Sequence, residues 1–162
     1  MRRAASTAQV LFVATVLAMF CLSLAACALP RITVLGDPLT AEEHLQLGLA
    51  YERDGELDLA EREYEEAAGE LPEARYYLGN LAFAREDWDE AERQYEKAVR
   101  GLPEDPRPRN NLAWLLYTRG KDLDRAEELA RQAVALASDA ERAEYADTLE
   151  KIRQARGTGQ ER

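Results

Sequence analysis

The sequence predicts an all-α fold, a short stack of repeated helical units, and three observations predict it. Small and large residues recur at fixed offsets: Leu47, Gly48, Tyr51, Ala60, Tyr64, Ala67 and Pro72, then Leu78, Gly79, Ala91, Tyr95, Ala98 and Pro103. A third set, Leu112, Ala113, Leu116, Ala126, Ala130 and Ala133, follows with one extra residue before Ala126. Within each set an apolar residue and an aspartate announce a helix: Leu57-Asp58, Trp88-Asp89 and Leu123-Asp124. After the last set, Ala143, Ala146, Leu149 and Ile152 stand at helical spacing with charges elsewhere.

In chain order, the first element is a signal-like segment. Met1-Arg2-Arg3 is followed by a run of roughly 17 mostly apolar residues from Val10 to Ala26. The run closes on Leu24-Ala25-Ala26-Cys27, which resembles the lipobox of bacterial lipoproteins: an aliphatic residue, two small residues and a cysteine. The resemblance implies cleavage after residue 26 and diacylation of Cys27, with small residues required to fit a narrow peptidase site. Two or more acyl chains anchor stably. The alternative is an uncleaved signal-anchor helix, for which the run is near the lower length limit. From Ala28 to Thr40, Pro30, Gly36 and Pro38 interrupt regular structure, so residues 27–40 read as a lipidated tether.

The three sets then occupy residues 41–137. Gly48, Gly79 and Ala113 let one helix approach the next closely, and Ala60, Ala91 and Ala126 supply the matching flat spots. Tyr51, Tyr64 and Tyr95 fill the spaces between helices. Asp58, Asp89 and Asp124 are placed to cap the second helix of each unit, at about 1 kcal/mol apiece. Gly55 and Gly120 supply turns, while Glu86 takes the corresponding place in the middle unit. The link between the first two units is about three residues short, with Pro72 expected in a first helical turn. Residues 138–156 are expected to form a solvating cap over the open end of the stack, and residues 157–162 a frayed tail.

This spacing resembles the tetratricopeptide repeat, a helix-turn-helix unit of about 34 residues. Residues 41–74 match the family pattern at nearly every signature position; His44 departs from it, standing where a large apolar residue is preferred. The resemblance implies a solenoid of about three repeats with a C-terminal capping helix. It also implies a groove, lined by the first helix of each repeat, that holds a protein or peptide partner. Carried over position by position, the groove residues are Leu45, Leu49 and Glu52; Tyr76, Asn80 and Phe83; and Asn110, Trp114 and Tyr117. Each triplet is spaced i, i+4, i+7 and lies along one helix face. Two of them, Asn80 and Asn110, offer amides to a peptide backbone. Only Asn80 matches the subfamily that clamps a free C-terminal carboxylate, so such a terminus is a poor candidate ligand. The alternative is that these side chains pack against neighbouring helices.

Composition limits function further. The chain has 21 Lys and Arg against 31 Asp and Glu, a net charge of −10, and loss of Arg2 and Arg3 with the signal makes it −12. Nucleic acid is excluded as a partner, because phosphate binding needs basic surface, and membrane attachment must run through the lipid. The two cysteines, Cys21 and Cys27, would be discarded and acylated, leaving no thiol for a disulfide or metal.

No catalytic set is apparent. His44 is the one histidine and falls on an inward face, where a core role is expected. Ser138 lacks a histidine partner, and Glu61, Glu63, Glu65 and Glu66 read as a solvated helix face. No cofactor or metal is expected. The expectation is a non-enzymatic, lipid-anchored adaptor or scaffold in the cell envelope, serving assembly of a pilus, secretion or cell-wall complex. Ala28 after the cysteine, in place of aspartate, implies the outer membrane. The alternative is a self-associating structural envelope protein.

Overall fold

A computed structural model describes residues 38–160, and side chains as far as Gly157. The signal, Cys27 and the tether up to Asp37 lie outside the described residues. Seven α-helices follow one another among them: α1 (Ala41–Arg53), α2 (Leu57–Ala67), α3 (Pro72–Ala84), α4 (Trp88–Gly101), α5 (Pro106–Thr118), α6 (Leu123–Leu136) and α7 (Arg142–Gln160). They pack as the pairs α1–α2, α3–α4 and α5–α6, with α7 against α6 and α5. No described helix is long and apolar enough to cross a membrane.

The pairs close where the side chains vanish. A Cβ on Gly48 would stand 2.5 Å from Tyr64 Cε1, and one on Gly79 would stand 2.5 Å from Tyr95 Cδ1. Each tyrosine ring therefore lies directly on the preceding helix, and both are fully buried. Ala60, Ala91, Ala113 and Ala126 are fully occluded on the facing helices. Such dense contacts make the register of each pair sensitive to a single methyl group.

Helix ends correct one expectation. Asp58, Asp89 and Asp124 are second in their helices, already helical and two residues past the capping position. The caps are Asp87, which accepts from the Glu90 N–H at 3.3 Å, and Asp122, which accepts from the Arg125 N–H at 3.2 Å. At α2 the capping residue is Glu56, with no side-chain bond. Thr40, assigned to the tether, instead caps α1 in a reciprocal pair with Glu43. The extra residue of the third unit is absorbed at Asp122, whose φ of 46° is left-handed. The short first link is absorbed by α2, with 11 residues where α4 and α6 have 14.

The aspartates displaced from capping form an ionic ladder between units. Arg85, just past α3, reaches Asp58 at 2.9 Å and Glu61 at 2.6 Å. Arg119, just past α5, reaches Asp89 at 2.9 Å and Glu92 at 3.1 Å. Arg156 of α7 reaches Asp124 at 2.9 Å and pairs with Glu127, which also takes Arg153 at 3.1 Å. Each first helix thus grips the opening turn of the second helix before it. Two members of the expected solvated face are therefore engaged: Glu61 in this ladder, and Glu63 against buried His44, with Nδ1 and Oε2 2.7 Å apart. Glu65 and Glu66 are exposed.

The cap also differs in detail. Ala143 and Ala146 face solvent, and the inward face of α7 is Tyr145, Thr148, Leu149 and Ile152. The larger side chains win that face because they bury more area. Burial and the nearby Glu141 carboxylate push the Tyr145 phenol up to about 12. The helix also runs past Gly157 to Gln160, where a frayed tail was expected.

Candidate functional site

The candidate site is built on α3 and α5, from residues that close packing places there. Because Gly79 has no side chain, the Tyr95 ring of α4 passes beneath α3 and its hydroxyl donates to Asn80 Oδ1 at 2.9 Å. The same oxygen accepts Asn111 Nδ2 at 2.9 Å, which joins α3 to α5. Burial raises the Tyr95 phenol above its ordinary value, so it stays protonated and able to donate. Phe83 and Trp114 rise beside this polar floor. Together Asn80, Phe83, Tyr95, Asn111 and Trp114 line a pocket of about 270 Å³.

The aromatic walls are braced from behind. Phe83 meets Trp88 edge-on with ring centres 5.2 Å apart, and Trp114 meets Tyr117 at 5.1 Å. Further along the same face, Tyr76 packs on Tyr77 and carries the Arg107 guanidinium 5.1 Å over its ring. Arg107 is fixed by Asp105 at 2.6 Å and Glu73 at 3.2 Å. Burial would raise the Asp105 carboxyl, but hydrogen bonds from the Arg107 side chain and backbone outweigh it and hold the group below its ordinary value.

The nine groove positions read from sequence divide three ways. Asn80, Phe83 and Trp114 meet in the pocket, with Tyr117 and Tyr76 half-buried behind or beside it. Leu45 is 6 % exposed and belongs to the core beneath α1–α3, where the packing alternative holds, and Leu49 packs against that core but stays half-exposed. Glu52 accepts a hydrogen bond from the Tyr64 hydroxyl. Asn110 is 7 % exposed and does not line this pocket, and the Asn80 oxygen is spent on the fold's own donors. Of the amide pair expected to meet a peptide backbone, Asn110 is buried, while Asn80 stays half-buried at the pocket with its oxygen already engaged.

Asn111 and Tyr95 are pocket residues that sequence reasoning missed. The signal for Asn111 was its i, i+3 relation to Trp114, which places both on one face. For Tyr95 no local signal existed, since its hydroxyl arrives from another helix.

The arrangement suits apolar insertion between aromatic walls, with amides at the floor. No pair of side chains in the pocket forms a nucleophile and base. Among the described residues, no group of three or more His, Cys, Asp or Glu is arranged to hold a metal.

Comparison with known proteins agrees with the fold. No curated protein matches the sequence. Among solved structures, PcrH from Pseudomonas aeruginosa, in complex with the chaperone binding region of PopD, is similar at TM-score 0.66 and 21% identity, over 75% of this chain and 99% of that one. The type III secretion translocator chaperone SycD from Yersinia enterocolitica is similar at TM-score 0.64 and 20% identity, over 72% of this chain and 94% of that one. MamA is similar at TM-score 0.56 and 17% identity, over 78% and 84% of the two chains. At these identities the likeness is one of fold. The tetratricopeptide repeat model matches residues 45–106 and 76–141, more than half of the sequence, and the chain belongs to the tetratricopeptide repeat family.

Proposed function

We propose that this protein is a membrane-anchored adaptor that holds an extended segment of a partner protein against α3 and α5. The observation that carries the reading is the pocket of about 270 Å³ with Phe83 and Trp114 as walls. Aromatic side chains dominate binding energy at interfaces because they bury large area with few rotatable bonds. Tyr76 and Tyr117 extend the surface on either side, while Leu45, Leu49 and Asn110 support it from within. Family membership favours a protein ligand, and PcrH is a fold relative solved with a partner's binding region. Attachment through a lipid on Cys27, at an outer membrane as Ala28 suggests, would keep the pocket at the envelope surface, within a pilus, secretion or cell-wall assembly.

The test is capture in the native membrane. Crosslinking followed by mass spectrometry is expected to find one protein retained by the parent and lost, by about tenfold or more, on combined Phe83→Ala and Trp114→Ala substitution. Helical content should stay near that of the parent. Equal capture by the variant would remove the pocket from the function. Self-association is the competing reading, favoured by Leu57 and Leu59, which are 38 % and 36 % exposed on α2. Retention of the same chain as the sole crosslinked species would select it.

A further inference from the structure

A second pocket, of about 300 Å³, lies where α5 meets α7, and Trp114 is the wall it shares with the first. Its other lining residues include Asn110, Glu144, Asp147, Thr148 and Lys151. Asn110 Oδ1 is the buried side-chain atom without a hydrogen-bond partner among the described residues. Native folds seldom leave such an atom unmet without a ligand or strain to account for it.

The neighbouring amides explain why it is the oxygen that is left over. Asn80 Oδ1 is occupied by Tyr95 and Asn111; Asn111 turns its NH₂ to Asn80 and its oxygen to Asn110 Nδ2, at 3.4 Å. Asn111 and Asn110 thus each spend a donor on the member of the row before it. The last member, Asn110, is left with a bare acceptor and lines the pocket beside α7.

The remaining walls ask for the same kind of ligand. Asp147 and Glu144 are carboxylates, and the Trp114 ring presents a π face. One cation already uses that face: Lys151 Nζ lies 5.4 Å from the ring centre and 2.6 Å from Asp147 Oδ2. The contact shows the face accepting positive charge. Lysine, however, is a point charge with three donors, whereas arginine is a flat fork of five that stacks on an indole while bonding at its edge. The planar fork can lie flat on the ring, meet Asp147 and reach a third acceptor in one fixed geometry.

We propose that the pocket between α5 and α7 receives an arginine side chain of the bound partner segment, with Lys151 as its internal stand-in. The proposal rests on the adaptor reading and supplies the partner's chemistry: an arginine next to the apolar residue held between Phe83 and Trp114. The excess of acidic residues in the chain would steer such a segment inward.

The experiment titrates the full-length protein, in detergent micelles, with N-acetyl-arginine amide and with the neutral N-acetyl-citrulline amide. Trp88→Phe leaves Trp114 as the single indole, and its emission reports binding. The Trp114 indole N–H resonance, assigned by its loss in Trp114→Phe, gives the same reading in the unsubstituted chain. The arginine probe is expected to saturate, with citrulline at least about fivefold weaker. Lys151→Met should tighten arginine binding about fivefold, and Asp147→Asn or Asn110→Leu should loosen it by a similar factor. Equal binding of the two probes, or no arginine binding to Lys151→Met, would overturn the proposal. Those outcomes leave the adaptor reading standing if the Phe83 and Trp114 variant still loses its partner. Undiminished capture by that variant would remove the adaptor reading and this proposal with it, even if the arginine probe binds, because Trp114 walls both pockets.

Discussion

At Gly48 a missing side chain decides how a whole helix sits. The Tyr64 ring occupies the place of its Cβ, and its hydroxyl then reaches Glu52 on the same helix as the glycine. Gly48→Ala should force the ring or helix aside and destabilise the fold by about 1–3 kcal/mol, read as a lowered midpoint in thermal unfolding. Glu86 presents the opposite case. It holds a φ of 60° where Gly55 and Gly120 hold 81° and 59°, a conformation costing an L-residue roughly 1–2 kcal/mol. Glycine avoids that cost but loses more chain entropy on folding, by about 0.5–1 kcal/mol. Glu86→Gly should therefore raise stability by up to about 1 kcal/mol, visible as a higher melting temperature. Both glycine and glutamate positions were legible in the sequence, because a repeat exposes an exception to its own pattern. Where a side chain is reached from a distant helix, as Asn80 is by Tyr95, no such comparison was available.

At the scale of helices, the ladder ties each unit to the one before it. Glu127 carries its last rung, and the Arg153 and Arg156 guanidinium groups, Arg153 foremost, hold its carboxyl below the ordinary 4.5. A carboxyl lowered by folding stabilises the native state above its unfolded pKa and loses that effect as pH falls through the folded value. The parent should thus exceed Glu127→Gln in stability at neutral pH. The gap should narrow as pH drops below about 4.5, measured by urea unfolding across the acid range. High salt should shrink the difference as well, since these guanidinium groups are partly exposed. The sequence announced the aspartates of the ladder but suggested capping. An apolar residue before aspartate marks the start of a helix, and cannot say whether that start lies one residue earlier or later. Here the cap lies two residues before the aspartate, so Asp87 and Asp122 took the caps and Asp89 and Asp124 were freed for arginine.

For the whole molecule, the repeat was legible because it is written three times, and errors at one copy are corrected by the others. The cap was less so: it is a single copy, and Ala143 and Ala146 satisfy helical spacing as well as Tyr145 and Thr148 do. The groove was legible as a face and misread in depth, since spacing gives direction and burial depends on which helix lies above. Leu45 and Asn110 were both on the right face and both beneath its surface. The proposed anchoring is a property of the full chain and has its own check. On that proposal, Cys27→Ser should move the protein from the membrane to the soluble fraction on cell fractionation while leaving its folded domain able to bind. A variant that stays in the membrane would select the uncleaved signal-anchor alternative.

The short second helix, α2, has a mechanical consequence. The first unit lacks nearly a turn that the others possess. Its counterpart of the Asn80 relay is a single hydrogen bond within the unit, from Tyr64 to Glu52, whereas Asn80 and Asn111 fasten the second unit to the third. Any pull on the N-terminal end enters at Thr40 and loads α1 first. The first pair is held to the second by the Arg85 rung and the stacked Tyr64 and Tyr77 rings, without an amide relay, so tension is expected to peel it away before it disturbs the pocket.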